Sequence, residues 1–323
     1  MADPALLSRI HVSGTARYLL KVETSAAAED YAKYERLREA IWECPDDHLA
    51  GPRNMMCENF VHDGSSLFIA AYAAGPDGRF EETSAALAGF SYGFVGVKDK
   101  AVGFKALDNI WFYSQYAGVR SEAQGAGLGV AIKEFQRDIL LRVYGIGTVV
   151  CTYDPLTGVN ALRNIGRFGM AVLEYRVAAY GEFGGRLNRA DVPSDRFFMS
   201  WDLKAEEPRS VEDGEEPVLT VPSTIAVGQT TVCGRTRVLK LETAGGFDPA
   251  MESDLLAVPI PLDYYTMLRE TDVDDPAVRR IPVDWRLATR EAFRTLLARG
   301  FRVVDFRRVR HPEPGNAYLL GRE

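Results

Sequence analysis

The stretch LDNIWFYSQYAGVRSEAQGAGLGVAIKEFQRDILLRVYG, residues 107–145, decides the fold of this chain. Its first part, residues 110–119, is rich in aromatic and β-branched residues and predicts a β-strand. Apolar residues then recur at helical spacing from Leu128 onward, which predicts a helix. The turn between them reads QGAGLG (residues 124–129), and its glycines allow several backbone N–H groups to point into one concavity at the helix N-terminus. A pyrophosphate suits such a concavity, because unpaired amides and the positive end of the helix dipole both favour an anion.

Three classes of phosphate-binding turn can be compared with this sequence. A Walker loop requires Gly-Lys-Ser/Thr at its end, but Leu128 and Gly129 follow Gly127 here. A dinucleotide-binding fold uses G-x-G-x-x-G after an early strand of a parallel sheet, whereas this turn reads G-x-G-x-G. The segment VRSEAQGAGLG (residues 119–129) instead resembles the acyl-CoA signature of the GNAT superfamily of N-acyltransferases, whose core is Q/R-x-x-G-x-G/A after a valine-ended strand. For the glycines alone, a purely structural turn is the alternative.

Composition limits the size of the fold and the class of partner. The chain has 323 residues, 46% of them hydrophobic, so it can bury a sizeable core, and its length favours two domains. A net charge of -7 argues against nucleic acid and against an anionic membrane surface as partners. No segment approaches the roughly 20 apolar residues that span a bilayer.

Cysteines and histidines indicate the compartment and argue against a metal site. The four cysteines lack C-x-x-C spacing, which predicts reduced thiols in a cytoplasmic protein. They are Cys44, Cys57, Cys151 and Cys233. Two of the four histidines, His48 and His62, lie in the loop-like region 45–62, but no partners stand at metal-ligand spacing. We therefore expect no metal cofactor.

The segments around the turn predict the elements that a GNAT core requires. Residues 25–42 have the pattern of an amphipathic helix, and residues 160–168 predict a short helix closed by Gly169. The predicted strands are 17–23, 67–73, 87–97 and 147–153. The resemblance implies an α/β (α+β) fold with a mixed, mostly antiparallel central sheet flanked by helices. It also implies that residues 107–119 and 147–154 splay apart as the walls of a slot for CoA.

The resemblance implies which residues hold acyl-CoA. A backbone amide near Ala117 to Val119 would polarise the thioester carbonyl, while the glycine turn would fix the pyrophosphate. Asn160 and Asn164 are four residues apart, so they share one helix face and could address the pantetheine arm or the acceptor. Capping and bridging of local backbone is the alternative for both asparagines. The expected cofactor-binding residues are Ala117, Val119, Gln124, Gly125, Ala126, Gly127, Leu128, Gly129, Asn160 and Asn164.

A wider set of matches within residues 15–204 resembles a subgroup of bacterial predicted acyltransferases in this superfamily. The matching residues are DPL (154–156), NA (160–161), Asn164, Tyr175, YG (180–181), PSDRF (193–197) and WDL (201–203). Two positions depart from the family pattern. Many GNAT enzymes carry a tyrosine acid on the helix where this chain has Ile165, and relatives in the subgroup often have a histidine where this chain has Gln115.

The catalytic residues are therefore predicted from the titratable groups near the slot. Tyr113 lies on one wall, and Tyr153 and Asp154 lie at the end of the other. Asp154 is the predicted base or amine anchor, because a carboxylate at the mouth of that strand could attract a cation. The alternative is that Asp154 holds the Asp-Pro turn or caps the following helix. The predicted catalytic pair is Asp154 and Tyr113.

The C-terminal third predicts a separate unit. Residues 205–217, AEEPRSVEDGEEP, carry six acids and one arginine with two prolines and a glycine, a composition that predicts a linker. The expected division is a GNAT domain at 1–204, an acidic linker at 205–217 and an accessory α+β domain at 218–323. In the last, Asp284 is predicted to cap a helix that ends at Gly300. The predicted strands are 218–221, 237–242, 255–260, 301–306 and 316–320.

Basic residues cluster in this C-terminal part. Such a cluster could hold an anionic substrate or the 3′-phosphate of CoA, but pairing with the chain's excess of acids is the favoured interpretation. Its members are Arg279, Arg280, Arg286, Arg290, Arg302, Arg307, Arg308 and Arg310.

Together these features predict an N-acyltransferase that moves an acyl group, by default acetyl, from acyl-CoA to a primary amine of a small molecule by direct attack. A succinyl-CoA-dependent amino-acid N-acyltransferase is an alternative of the same class. A CoA-binding or regulatory protein without turnover is a second alternative, which Ile165 and Gln115 favour. A nucleotide-dependent oxidoreductase is a third, and would require tight binding of a nicotinamide cofactor. The expected partner is the small-molecule amine acceptor, and neither nucleic acid nor a membrane is expected to bind. A homodimer is one alternative for the assembly.

Overall fold

A computed structural model of the chain describes residues 6–25, 28–42, 65–181, 184–185, 187–205, 218–232, 235–309 and 315–322. Its contacts divide the chain into two compact units, residues 1–151 with 202–204, and residues 152–201 with 205–323. The predicted loop with His48 and His62, as well as Cys44, Cys57 and Cys233, lies outside the described residues. None of the helices in the described part of the chain is long and apolar enough to cross a membrane.

The largest sheet has eight strands in the order β1-β2-β3-β4-β5-β6-β8-β7. Neighbours from β1 to β5 pair antiparallel, as do β7 and β8, whereas β5 and β6 run parallel. Its strands are β1 (Ser8–Ser13), β2 (Ala16–Val22), β3 (Ser66–Ala73), β4 (Leu87–Val97), β5 (Ile110–Val119), β6 (Thr148–Tyr153), β7 (Ala171–Arg176) and β8 (Arg196–Asp202). The helices of these segments are α1 (Ala28–Trp42), α2 (Leu128–Ile139) and α3 (Gly158–Ala161). Helices α2 and α3 continue as π-helical turns, Leu140–Tyr144 and Leu162–Arg167.

The C-terminal region builds two smaller sheets. Strands β9 (Val218–Leu219), β12 (Leu255–Ile260), β13 (Phe301–Val309) and β14 (Gly315–Arg322) form a four-stranded sheet in the order β13-β14-β12-β9. Strands β10 (Ser223–Val232) and β11 (Arg235–Ala244) form an antiparallel pair. The helices are α4 (Tyr264–Glu270), α5 (Pro276–Arg279) and α6 (Ile281–Ala298). The predicted fold class is thereby confirmed: a mixed, mostly antiparallel sheet with flanking helices, and a smaller α+β region at the C-terminus.

In the first unit the sheet has a helix on each face. Tyr34 and its apolar neighbours on α1 pack on Phe90 and Tyr92 of β4, in a core that is closed to solvent. Side chains alternate along a strand, so Gly89 faces the other way, where a Cβ would lie 3.2 Å from Ile132 of α2. The signature helix therefore packs on the face of β4 opposite α1.

One detail of the C-terminal prediction changes. Helix α6 begins at Ile281, so the prediction that Asp284 is its cap was wrong. Pro282 suits the first helical turn because it has no N–H to leave unpaired there, and Asp284 falls inside that turn beside the positive end of the dipole. The predicted linker lies outside the described residues from 206 to 217, so the division into domains stays a prediction.

Candidate functional site

Strand β5 carries a bulge in its middle. Tyr92 of β4 pairs with Tyr116, but the next residue, Gly93, pairs with Ser114, which leaves Gln115 as an extra residue on β5. Gly93 is required there, because a Cβ at this position would lie 2.4 Å from the carbonyl oxygen of Tyr113. Bulges bend a strand and redirect the residues that follow it.

Strands β5 and β6 pair over a short distance only. Their parallel register joins Phe112 to Val149 and Tyr113 to Val150, and the described residues show no pairing between these strands beyond that point. The two strands are thus joined at Phe112 and Tyr113 of β5 and unpaired from Ser114 onward, which is the arrangement expected of the predicted slot. Along residues 114–119, the edge of β5 that faces away from β4 is not paired with β6 in the described residues.

The backbone of β5 directs two predicted amides to that open edge. Arg120 donates its backbone N–H to the carbonyl oxygen of Ala88 at 2.8 Å, so its amide faces β4. In an antiparallel pair successive residues alternate between facing the partner and facing away. Gly118 therefore also faces β4, whereas the amides of Ala117 and Val119 face the split.

The glycine turn that follows supplies further donors. Gly125 and Gly127 have φ values of 83° and 68°, a left-handed conformation that glycine adopts without strain. Gly127 is the N-cap of α2, and its carbonyl accepts the first helical bonds from Val130 and Ala131. Within the part of the chain that the structure describes, the amides of residues 125–129 donate no hydrogen bond. Five backbone N–H groups at the N-terminus of α2 and just before it therefore have no acceptor among the described residues and are available to an anion.

Side chains brace this turn from several directions. Gln124 folds back, and its Nε2 donates to the carbonyl oxygen of Val119 at 3.3 Å. Arg120 donates to the carbonyl oxygens of Leu87 and Ser84, at 2.7 and 3.1 Å. Sequence reasoning did not find His11 of β1, whose Nε2 lies 3.0 Å from the carbonyl oxygen of Ala126.

A buried lysine joins α2 to the signature strand. Lys133 is almost inaccessible to solvent, and its Nζ donates to Ser114 Oγ at 2.6 Å and to Gln136 Oε1 at 3.1 Å. Ser114 directly precedes the bulged residue Gln115. The contact therefore fixes the helix against the strand at the point where β5 leaves β6.

The predicted catalytic residues fall in different compact units. Tyr113 belongs to the first unit, where it is partly exposed and its ring lies 5.4 Å from that of Phe94. Asp154 and Tyr153 belong to the second unit, and the Tyr153 hydroxyl lies 3.1 Å from that of Tyr318.

Asp154 lies in a buried ion cluster. Its Oδ1 accepts from Arg286 Nη1 at 2.9 Å and its Oδ2 accepts from Arg286 Nη2 at 2.5 Å, so the pair is bidentate. Arg196 Nη1 also donates to Oδ2 at 3.3 Å, and the Leu156 amide donates to Oδ1 at 2.9 Å. Burial alone would raise the pKa of Asp154, but the charges of Arg286 and Arg196 outweigh it and hold that pKa below its usual range. The turn-holding alternative is therefore observed, and the role as a base stays a prediction.

Asn160 and Asn164 bind one arginine. Arg163 donates to Asn160 Oδ1 at 2.8 Å and to Asn164 Oδ1 at 3.4 Å, and Asn160 Nδ2 donates to Thr157 Oγ1 at 3.0 Å. Both asparagines lie in the second unit, whereas the glycine turn lies in the first. Local bridging is thus observed for both, and a contact with CoA stays a prediction.

The basic C-terminal cluster is largely paired with acids. Arg290 donates to both oxygens of the buried Asp195, at 2.7 and 2.9 Å, and the Tyr175 hydroxyl donates to the same carboxylate at 2.7 Å. Burial, together with the Asp195 charge, raises the pKa of Tyr175 well above its usual range, although Arg286 opposes that rise. The other ion pairs are Arg279 with Asp191 and Asp272, Arg280 with Asp284, Arg286 with Asp154, and Arg307 with Asp305. The favoured interpretation of the cluster, pairing with acids, is confirmed for these five arginines.

An open strand pair followed by a glycine turn at a helix N-terminus defines a candidate acyl-CoA site. No protein-family model and no curated protein matches the sequence. Solved structures to which this chain is similar include several acetyltransferases, one of them described as a putative acetyltransferase of the GNAT family from Desulfovibrio desulfuricans.

Three of these structures illustrate the extent of the similarity. Arabidopsis thaliana NAA60 in complex with acetyl-CoA is 13% identical, over 58% of this chain and 99% of its own, with a TM-score of 0.42. The ribosomal-protein-S5-alanine acetyltransferase of Vibrio fischeri is 13% identical, over 61% and 97%, with a TM-score of 0.40. A chimera of the Vibrio cholerae spermidine N-acetyltransferase SpeG and hSSAT is 9% identical, over 57% and 95%, with a TM-score of 0.39. At these values the similarity supports no argument about activity, which rests on the site itself.

Proposed function

We propose that this chain is an N-acyltransferase that moves an acyl group, by default acetyl, from acyl-CoA to the primary amine of a small molecule. The observation that carries the proposal is the set of five unpaired amides at residues 125–129, directly after a strand whose Ala117 and Val119 amides face an open edge. A diphosphate needs several donors at one place, and a thioester carbonyl needs one donor a short distance along the same strand. The turn and strand β5 offer both.

The proposed reaction needs little from side chains. The neutral amine attacks the thioester carbon and a C–N bond forms. The C–S bond then breaks, the nitrogen loses a proton, and the departing thiolate takes up a proton to leave as the CoA thiol. An amide of Ala117 or Val119 stabilises the negative charge that develops on the carbonyl oxygen. Tyr113 is the proposed proton-transfer group in the first unit, and Asp154 is the alternative that the sequence favoured. Holding the two reactants together supplies much of the remaining rate.

Calorimetry with CoA, acetyl-CoA, succinyl-CoA and NAD tests the ligand class. The Gly127→Val variant strains a backbone with φ 68° and distorts the donor set, so we expect CoA to bind at least tenfold more weakly, or about 1.4 kcal/mol. Gly103→Val is the matched control, because Gly103 has φ 59°, stands in open space and lies outside the turn. Unchanged CoA affinity in a folded Gly127→Val variant would contradict the proposal, as would binding of NAD in preference to CoA.

Release of free thiol from acetyl-CoA or succinyl-CoA, in the presence of mixed primary amines, separates an enzyme from a CoA-binding protein. We expect amine-dependent thiol release in the wild-type protein. Tight CoA binding without any thiol release across amino acids, polyamines and aromatic amines would support the CoA-binding alternative.

A further inference from the structure

We infer that His11 is a positioning residue of the pyrophosphate site, because it holds the peptide between Ala126 and Gly127 in the orientation that aims the Gly127 amide at the anion. The inference rests on the proposed function and adds a residue from the first strand, 115 positions away from the glycine turn. His11 stands outside the signature, and both partners lie in the first compact unit.

The imidazole of His11 is itself held in place. His11 pairs with Tyr18 across β1 and β2, and the two rings stack with their centroids 6.1 Å apart and their planes 27° from parallel. Its Nε2 lies 3.0 Å from the carbonyl oxygen of Ala126. A carbonyl oxygen can only accept, so Nε2 carries the hydrogen in this contact.

The contact between His11 and the Ala126 carbonyl also fixes the direction of the Gly127 N–H, because both groups belong to one peptide plane. In a planar trans peptide the carbonyl of one residue and the N–H of the next point in opposite directions. Because His11 draws the Ala126 carbonyl toward β1, the Gly127 N–H is turned away from β1. Gly127 Nα is one of the five amides that donate to no described residue.

The peptide between Ala126 and Gly127 has few local constraints on its orientation. Glycines with φ 83° and 68° stand on both sides of Ala126, and glycine allows a peptide plane to rotate at little cost. The His11 ring is also close to the turn, since Nε2 lies 4.0 Å from the position of a Cβ on Gly127. A single side chain from β1 therefore selects one orientation of a peptide that the turn alone leaves free.

Substitutions at His11 test this role. The His11→Leu variant keeps a side chain of moderate size on β1 but loses the donor, and we expect its Kd for CoA to rise about tenfold. The Kd for pantetheine, which lacks the diphosphate, should stay within about twofold. In His11→Gln an amide donor replaces the imidazole, and we expect it to recover most of the affinity. Steady-state kinetics should show a raised KM for acetyl-CoA in His11→Leu with kcat preserved.

Val12→Ala is the matched control, because Val12 is 60% exposed on the same strand and we expect CoA binding to be unchanged. Should His11→Leu fail to fold, His11→Asn, whose side chain is too short for the contact, gives the same comparison. The inference is overturned if the variant without the donor binds CoA as tightly as the wild type. It is also overturned if pantetheine affinity falls as much as CoA affinity. A wild-type protein that binds no CoA would contradict the proposed function instead.

Discussion

The Asp154→Asn substitution distinguishes a structural carboxylate from a catalytic one. Asn is nearly isosteric and keeps the oxygen that accepts from the Leu156 amide, so the turn after β6 retains its local hydrogen bond. The change removes the negative charge that faces the completely buried guanidinium of Arg286. The structure predicts that the main effect is on stability.

The size of that effect follows from the burial of the pair. Removal of one partner from a buried ion pair leaves the other charge uncompensated, at a cost of about 3–5 kcal/mol. Arg196 donates to the same Asp154 oxygen, so the substitution also removes the charge that faces this second arginine. The exposed pair of Arg280 and Asp284 is the control, because Asp284→Asn removes an i,i+4 contact worth only about 0.3–0.5 kcal/mol.

Equilibrium unfolding of both variants, with thiol-release assays on the same samples, measures the two roles separately. For a domain of this size, 1 kcal/mol corresponds to roughly 2–4 °C, so Asp154→Asn should melt at least about 6 °C below the wild type. In the double variant Asp154→Leu with Arg286→Met, an apolar pair replaces the ion pair and most of the loss should be recovered. An Asp154→Asn variant with full stability and a 100-fold lower kcat would refute this reasoning and establish the carboxylate as a catalyst.

The pKa of Asp154 determines the pH range over which its ion pair with Arg286 stabilises the folded protein. Because the folded-state pKa lies below the ordinary 3.8, the stabilisation is fully present above pH 3.8 and is lost as the pH falls through the folded-state value. As the pH is lowered below 3.8, the free energy of unfolding should therefore fall more steeply for the wild type than for Asp154→Asn. Equal slopes below pH 3.8 would show that the carboxylate is not held as a charged group.

Two further predictions concern the proton and the division of the chain. Tyr113→Phe should lower kcat by about 100-fold with acetyl-CoA affinity within twofold if Tyr113 transfers a proton, and full activity in that variant would leave proton transfer to solvent. Limited proteolysis should cut first within residues 205–217, whose composition offers no apolar anchor, and cuts that begin elsewhere would contradict the predicted linker. The fragments should then co-elute under native conditions, because Asp154 and Asp195 are held by arginines of α6 within one compact unit.

The sequence predicted the central elements well because their signals are local. Alternating apolar residues, a glycine turn and helical spacing stand within residues 107–145, and β5 and α2 begin where these patterns indicate. Strands β1, β7, β8 and β10 were not identified. Strands β1 and β7 lie at the two edges of the largest sheet, where a strand carries less of the apolar pattern.

The side-chain partners of the site could not be predicted in the same way. The contacts of His11 with Ala126 and of Asp154 with Arg286 join residues 115 and 132 positions apart. Spacing along the chain has no bearing on such pairs, because they arise only when separate elements pack. The basic cluster illustrates the same limit: its pairing with acids could be expected from the charge balance, but the individual partners could not.

The ion pair between Asp154 and Arg286 cannot form until both residues have been translated, which has a consequence for folding during synthesis. A ribosome that adds about 5–20 residues per second completes Arg286 roughly 7 to 26 s after Asp154, given their separation of 132 positions. During that interval the segment 152–201 exists without the helix whose arginines pair with Asp154 and Asp195, so these two carboxylates lack those partners. Slow decoding of codons before α6 would lengthen this interval, so the yield of folded protein is expected to depend on how fast the last third of the message is translated.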